Sequence, residues 1–185
     1  MRSLVLSVLI LAAAGAASGV AHAQPGLSSA PNLDGADNAN RIAENAKRKL
    51  DGMRKEGIEA LQKQDFAAAE KAFGKLVAQN PTTNDANYLM GLAKLGLQNW
   101  TDARQFLELA VKQDPKWPDP KSRLGVAYLR LNDADAAAKQ RADLATLSSG
   151  CNGCKDAKSI TENLAMLDRA IAAAQKPKVA APAPN

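Results

Sequence analysis

The sequence predicts an all-α domain made of helix-turn-helix hairpins with a C-terminal capping helix, and three observations carry that prediction. Between about residues 40 and 175 no apolar/polar alternation of the strand kind occurs, and Ala, Leu, Lys and Gln, all helix formers, dominate. Small and apolar residues recur at a step of 34: Gly57, Gly91 and Gly125; Leu61, Leu95 and Leu129; Ala69, Ala103 and Ala137. Polar residues keep the same step, with Asp51, Asp85 and Asp119 in one row and the cap-type Asp65, Asn99 and Asp133 in another. A fixed period of this length means stacked units that share one core.

Taken in chain order, the first element is Met1-Arg2-Ser3, the apolar run Leu4 to Leu11, small residues, and Ala21-His22-Ala23. This is the plan of a secretory signal cleaved after Ala23, so residues 1–23 are expected to be removed. The run falls short of the roughly 20 apolar residues that span a bilayer, and no later segment approaches that length. No cysteine follows the cleavage point to carry a lipid, so the expected location is periplasmic or secreted, with no integral membrane segment in the mature chain. Residues 24–40, with Pro25, Gly26, Pro31 and Gly35, read as a flexible leader.

The helical domain is expected over 41–175, with repeats at about 50–83, 84–117 and 118–149. Arg41 to Leu50 either lengthens the first helix or forms a helix of its own. The first helices are expected near 50–63, 84–97 and 118–131, the second near 66–79, 100–113 and 134–147. Asp65, Asn99 and Asp133 can accept hydrogen bonds from the free N–H groups that open each second helix. Pro81 and Pro115 cannot continue the helix before them. After the third repeat, Ser159-Ile160-Thr161-Glu162 has capping-box form, and Ile160, Leu164, Leu167 and Ile171 follow at helical spacing, which predicts a capping helix over about 156–175. Residues 176–185, rich in Pro and Ala, read as a disordered tail.

The 34-residue step, with glycine in the first helix, alanine in the second and proline at the end, resembles the tetratricopeptide repeat. The resemblance spans residues 50–149. Phe73 and Tyr128 stand at aromatic positions of that pattern, whereas Met53, Asn87 and Lys121 stand where tryptophan would, and Arg141 and Ser149 replace the aromatic and the proline of the third repeat. The resemblance implies a right-handed superhelix in which glycine and alanine let the two helices of a hairpin approach closely. It also implies a concave groove lined by the first helices, holding an extended or helical peptide. Arg54 and Ile58, Tyr88 and Leu92, and Ser122 and Val126 are then the groove residues, with Arg123 and Arg130 close by. The clamp with which some members hold an acidic chaperone tail falls here on Arg54, Ile58, Leu89, Asp119 and Arg123. Both of its asparagines are missing and one cation has become an acid, so that tail is not the implied ligand. A basic and apolar groove suits a peptide with acidic and apolar anchors.

Several functions are excluded by composition. The formal charge of +5 falls to +4 without Arg2, and it is spread along the chain rather than gathered into the basic stripe that nucleic acid would need. The single histidine, His22, lies in the signal, so the mature chain has no histidine base, histidine-activated nucleophile or histidine-ligated metal. Cys151-Asn152-Gly153-Cys154 is the conspicuous chemical motif. Haem attachment needs a histidine where Lys155 stands, zinc needs two further ligands, and a thioredoxin-like site needs a βαβ context. A structural disulfide in an oxidising compartment is the reading favoured, with a thiol-disulfide redox site as the alternative from another class. The function expected is a non-enzymatic periplasmic scaffold, without catalytic residue, metal or cofactor, whose partner is a protein or peptide of the cell envelope. A narrower version is an assembly factor for exported envelope or electron-transfer complexes.

Overall fold

A computed structural model of the chain describes residues 33–80 and 84–175. The expected signal peptide, Pro81 and the C-terminal tail lie outside the described residues. Seven helices follow one another: α1 (Leu33–Gln62), α2 (Phe66–Gln79), α3 (Asn84–Gly96), α4 (Trp100–Gln113), α5 (Pro118–Arg130), α6 (Ala134–Gly150) and α7 (Ala157–Gln175). They pair as the hairpins α1/α2, α3/α4 and α5/α6, each stacked on the next, and α7 packs on both α5 and α6. No strand occurs among the described residues.

Local chemistry sets the helix ends. The side chains of Asp65, Asn99 and Asp133 accept from the backbone N–H of Ala68, Asp102 and Ala136 at 3.0, 3.3 and 2.9 Å. Just before each cap the chain turns through a left-handed residue, Gln64, Gln98 or Asn132, with φ near +60°. This is an uncommon conformation for residues with a Cβ, and it too recurs every 34 positions. α4 stops at Gln113, two residues short of Pro115. α6 has Ser149 in place of a proline, and it runs on to Gly150.

Two expectations are corrected at helix starts. The leader expected to be flexible through residue 40 is helical from Leu33, so α1 is one helix of 30 residues that includes Arg41 to Leu50 without a break. Composition misled here because Gly35 and the Asn residues count against a helix, while the Ala residues and the early acids Asp34 and Asp37 favour one at an N-terminus. Residues 36–49 are all exposed. Ser159 does not cap α7: the helix opens two residues earlier, and the Ile160 N–H donates to the Asp156 carbonyl at 2.9 Å.

Ala69, Ala103 and Ala137 are fully buried. A Cβ on Gly57 would strike the ring of Phe73, and one on Gly91 would stand 2.6 Å from Leu107 Cγ, so in the first two hairpins glycine admits a large side chain from its own second helix. The third hairpin departs from this. The residue equivalent to Phe73 and Leu107 is Arg141, which turns outward to Asp168 at 2.5 Å. The space at Gly125 is taken by Leu167 of α7, whose Cδ1 would lie 2.6 Å from an added Cβ. The close approach at Gly125 therefore joins the last hairpin to α7 rather than α5 to α6.

Candidate functional site

The first helices α1, α3 and α5 carry the residues expected to form the groove, and the structure links them into one wall. Arg54 on α1 reaches α3, its Nε donating to Asp85 Oδ2 at 2.8 Å, while its Nη1 donates to Asp51 Oδ1 at 3.0 Å. Ile58, one turn on, is half-buried against the core of the first hairpin. Tyr88 on α3 packs on Trp117, with ring centroids 4.6 Å apart and planes tilted by 59°. Trp117 Nε1 donates to Asp119 Oδ2 at 2.8 Å, which fixes the indole at the entry to α5. Burial pushes the Tyr88 hydroxyl above its ordinary pKa, with Arg123 opposing and Asp119 adding to the shift.

Arg123 differs from Arg54 in its surroundings. Its Nε is buried without a hydrogen-bond partner, and its guanidinium lies against the Tyr88 hydroxyl. Among the described residues no carboxylate pairs with it, whereas Arg54 is neutralised by two. Leu92 continues the wall as a half-buried residue of α3. Arg130 lies at the far end, exposed, with its guanidinium carbon 5.4 Å from the centroid of the Trp100 ring.

The third repeat again departs from expectation. Ser122, expected to face the groove, is fully buried. Its hydroxyl donates to Asn163 Oδ1 on α7 at 2.5 Å, and Asn163 Nδ2 donates to Asp119 Oδ1 at 2.8 Å. With Arg141 turned away, α7 settles against α5 and covers this stretch of wall. Val126 lines a cavity of about 390 Å³ between α5 and α7, with Leu129, Arg130 and the alanines Ala170, Ala173 and Ala174.

Sequence reasoning missed Trp117, Asn163 and Trp100. The row Asp51, Asp85 and Asp119 was visible as a repeat, and it was the available signal. All three line the wall, where they hold Arg54, Trp117 and Asn163 in place. Cys151 and Cys154 lie at the end of α6, their sulfurs at bonding distance and their Cα atoms 5.3 Å apart. Gly153 between them has φ +71°. Among the described residues no cluster of His, Cys, Asp and Glu could hold a metal ion, and no helix is long and apolar enough to cross a membrane.

Residues 54–118 match the sequence profile of the tetratricopeptide repeat. No curated protein sequence matches the chain. Among solved structures it is similar to PcrH in complex with the chaperone-binding region of PopD, at 18% identity over 69% of this chain and 94% of that one, with a TM-score of 0.60. It is also similar to the type III secretion translocator chaperone SycD of Yersinia enterocolitica, at 15% identity over 70% and 96% of the two chains, with a TM-score of 0.57. The TPR2B domain of yeast Sti1 in its pHsp70 complex matches at 20% identity, over 66% of this chain and 98% of that chain, with a TM-score of 0.57. At these identities the likeness is one of fold.

Proposed function

Because this chain is a tetratricopeptide-repeat protein, we propose that it is a non-enzymatic scaffold that binds a protein or peptide segment along the wall formed by α1, α3 and α5. The carrying observation is the setting of Arg123, a cation on α5 with no carboxylate paired to it among the described residues, against the half-buried Tyr88 of α3. Arginine forks onto carboxylates and tyrosine offers a flat amphipathic surface, so the ligand class is a segment with an acidic anchor flanked by apolar side chains. Two similar folds support a partner-binding role, since PcrH was solved with the binding region of PopD and the Sti1 domain with pHsp70. The signal-like features of residues 1–23 support a location in the periplasm or outside the cell, and with it a partner from the cell envelope. A role in assembling envelope complexes is a special case of this reading.

The test is capture from periplasmic extract with wild type and an Arg123→Gln variant. Arg54 is a poor choice for mutation because its loss also unties α1 from α3. The variant should keep its helical circular dichroism and release the captured protein. Equal capture by both would place binding away from this wall.

A further inference from the structure

The exposed half of α1 has a face that none of the described residues covers. From Leu50 to Ala60 the helix buries a seam at heptad spacing, Leu50, Met53, Gly57 and Ala60, against the core it shares with α2. The same spacing continues back through Ala46, Ala43, Ala39 and Ala36, where every residue is exposed. Beside this row stands Ile42, 61% exposed, among the few large apolar side chains left to solvent in the described residues. The helix from Leu33 to Lys49 is about 25 Å long at the helical rise, and its residues 36–49 are exposed. It is therefore an established helix–helix interface running on past the end of its partner, α2.

We propose that this half of α1 pairs antiparallel with the same segment of a second copy of the chain. α2 closes the seam at Leu50, so a partner helix fits only over 33–49, and full overlap of two such segments places the two-fold axis at the level of Arg41. In that register Ala36 lies level with Ala46 of the second copy and Ala39 with Ala43, which lets the backbones come close. On one flank the two Ile42 side chains meet across the axis and lose their exposure. On the other flank, Lys47 of each copy comes within reach of Asp37 of its mate. A parallel pair would instead set Lys47 against Lys47 and Asp37 against Asp37, so charge favours the antiparallel arrangement. Such a two-fold contact is self-complementary, as closed dimers require. It is also smaller than the roughly 800 Å² per partner of standard interfaces, so the pair exchanges with monomer.

Sedimentation velocity of the purified chain over a dilution series tests this. Wild type should shift from monomer towards dimer as concentration rises. Ile42→Glu and Ile42→Lys should each be monomeric, and their equimolar mixture should dimerise again as a one-to-one pair. Asp37→Lys should weaken the dimer, and adding Lys47→Asp should restore it. Residues 36–49 are exposed among the described residues, so all these variants should keep the wild-type helical signal. A wild type that stays monomeric at its highest soluble concentration would overturn the proposal, as it would if the face were instead covered by the chain's own terminal segments or by a foreign protein. So would a dimer indifferent to charge at Ile42, or a mixture that fails to recover.

Discussion

Replacing Gly91 by alanine sets two effects of known size against each other. In a helix interior glycine costs about 1 kcal/mol relative to alanine, so the substitution gains that much in any helix with room for a methyl group. Here the new Cβ would stand 2.6 Å from Leu107 Cγ and 2.8 Å from Cδ2, whereas carbon atoms rest at about 3.5–4.0 Å. Leu107 is fully buried and packed with Leu124 and Ala127, so it cannot withdraw by the ångström required without disturbing the second and third hairpins. Overpacking of this kind costs about 1–3 kcal/mol, which leaves Gly91→Ala destabilising by about 0–2 kcal/mol overall. The sign should reverse in a Leu107→Ala background, which itself costs about 2–5 kcal/mol. There the obstacle is gone and Gly91→Ala should stabilise by about 1 kcal/mol. Urea unfolding followed by far-ultraviolet circular dichroism, on all four members of the cycle, measures the coupling, expected at about 1–3 kcal/mol. The exposed Lys112→Ala should stay within about 0.5 kcal/mol of wild type and serves as control. The same effect of Gly91→Ala in both backgrounds would refute the close-approach argument, and with it the register of the repeats.

Leu167→Ala should cost about 2–5 kcal/mol and release α7 first, visible as faster amide exchange in residues 157–175 than in α1 to α4. Gln98→Gly relieves a left-handed residue that costs about 1–2 kcal/mol, and against a glycine entropy penalty of about 0.5–1 kcal/mol it should raise stability slightly; a fall in the urea midpoint would contradict the φ of +58°. The Tyr128 hydroxyl, raised by burial and by its 2.8 Å hydrogen bond to Glu108, is pushed up from 10.0 to about 12, so it favours the fold fully below pH 10 and loses that contribution between about pH 10 and 12. Tyrosinate absorbance should show both tyrosines titrating later than free tyrosine, and Glu108→Gln should move one of the two down. Substituting both Cys151 and Cys154 by serine should cost at most on the order of 2 kcal/mol, the chain-entropy value for so short a loop, and leave partner capture intact. Loss of capture would connect the cysteine turn to binding.

The hairpins were legible in the sequence because the signals that delimit them are local. A cap such as Asp65 acts on Ala68, three residues away, and a proline such as Pro115 acts on the turn before it. Gly57 and Gly91 were legible for the same reason, since Phe73 and Leu107 lie a fixed distance along the chain. The wall was only half legible. The positions of Arg54, Tyr88 and Arg123 follow from the period, but the salt bridge from Arg54 to Asp85 crosses between helices, and the pairing of Tyr88 with Trp117 depends on how α3 and α5 splay. The burial of Ser122 could not be read at all, because it depends on where α7 settles, and nothing near Ser122 in the sequence reports that. The helical start of α1 was hidden by composition, which weighs glycine and asparagine without knowing that alanines at heptad spacing run through them.

The single change at Arg141 explains most of what is unusual at the C-terminal end. Had a leucine or phenylalanine stood there, it would have filled the space at Gly125 from within the hairpin, as Leu107 and Phe73 do at their glycines, and α7 would have had no slot for Leu167. Arginine cannot be buried unpaired without a large desolvation cost, so it turns out to Asp168 and the slot stays open for the next helix. Once Leu167 is seated, Asn163 lies one turn earlier on the same face of α7, against Ser122 and Asp119. A polar trio of that kind favours one register, because a shift of α7 by a residue would part Ser122 and Asp119 from Asn163 and leave Ser122 and Asn163 only their partners within their own helices, the carbonyls of Asp119 and Ser159. α7 thereby covers α5 at Ser122, and the wall stays open towards α3, where Tyr88 meets Arg123 of α5. An Arg141→Leu variant should separate cause from consequence. It should compete with Leu167 for the space at Gly125, loosen α7 and expose Ser122, and the amides of 157–175 should exchange faster although no residue of α7 has been altered. Unchanged exchange in α7 would show that its seating is held by the polar trio alone.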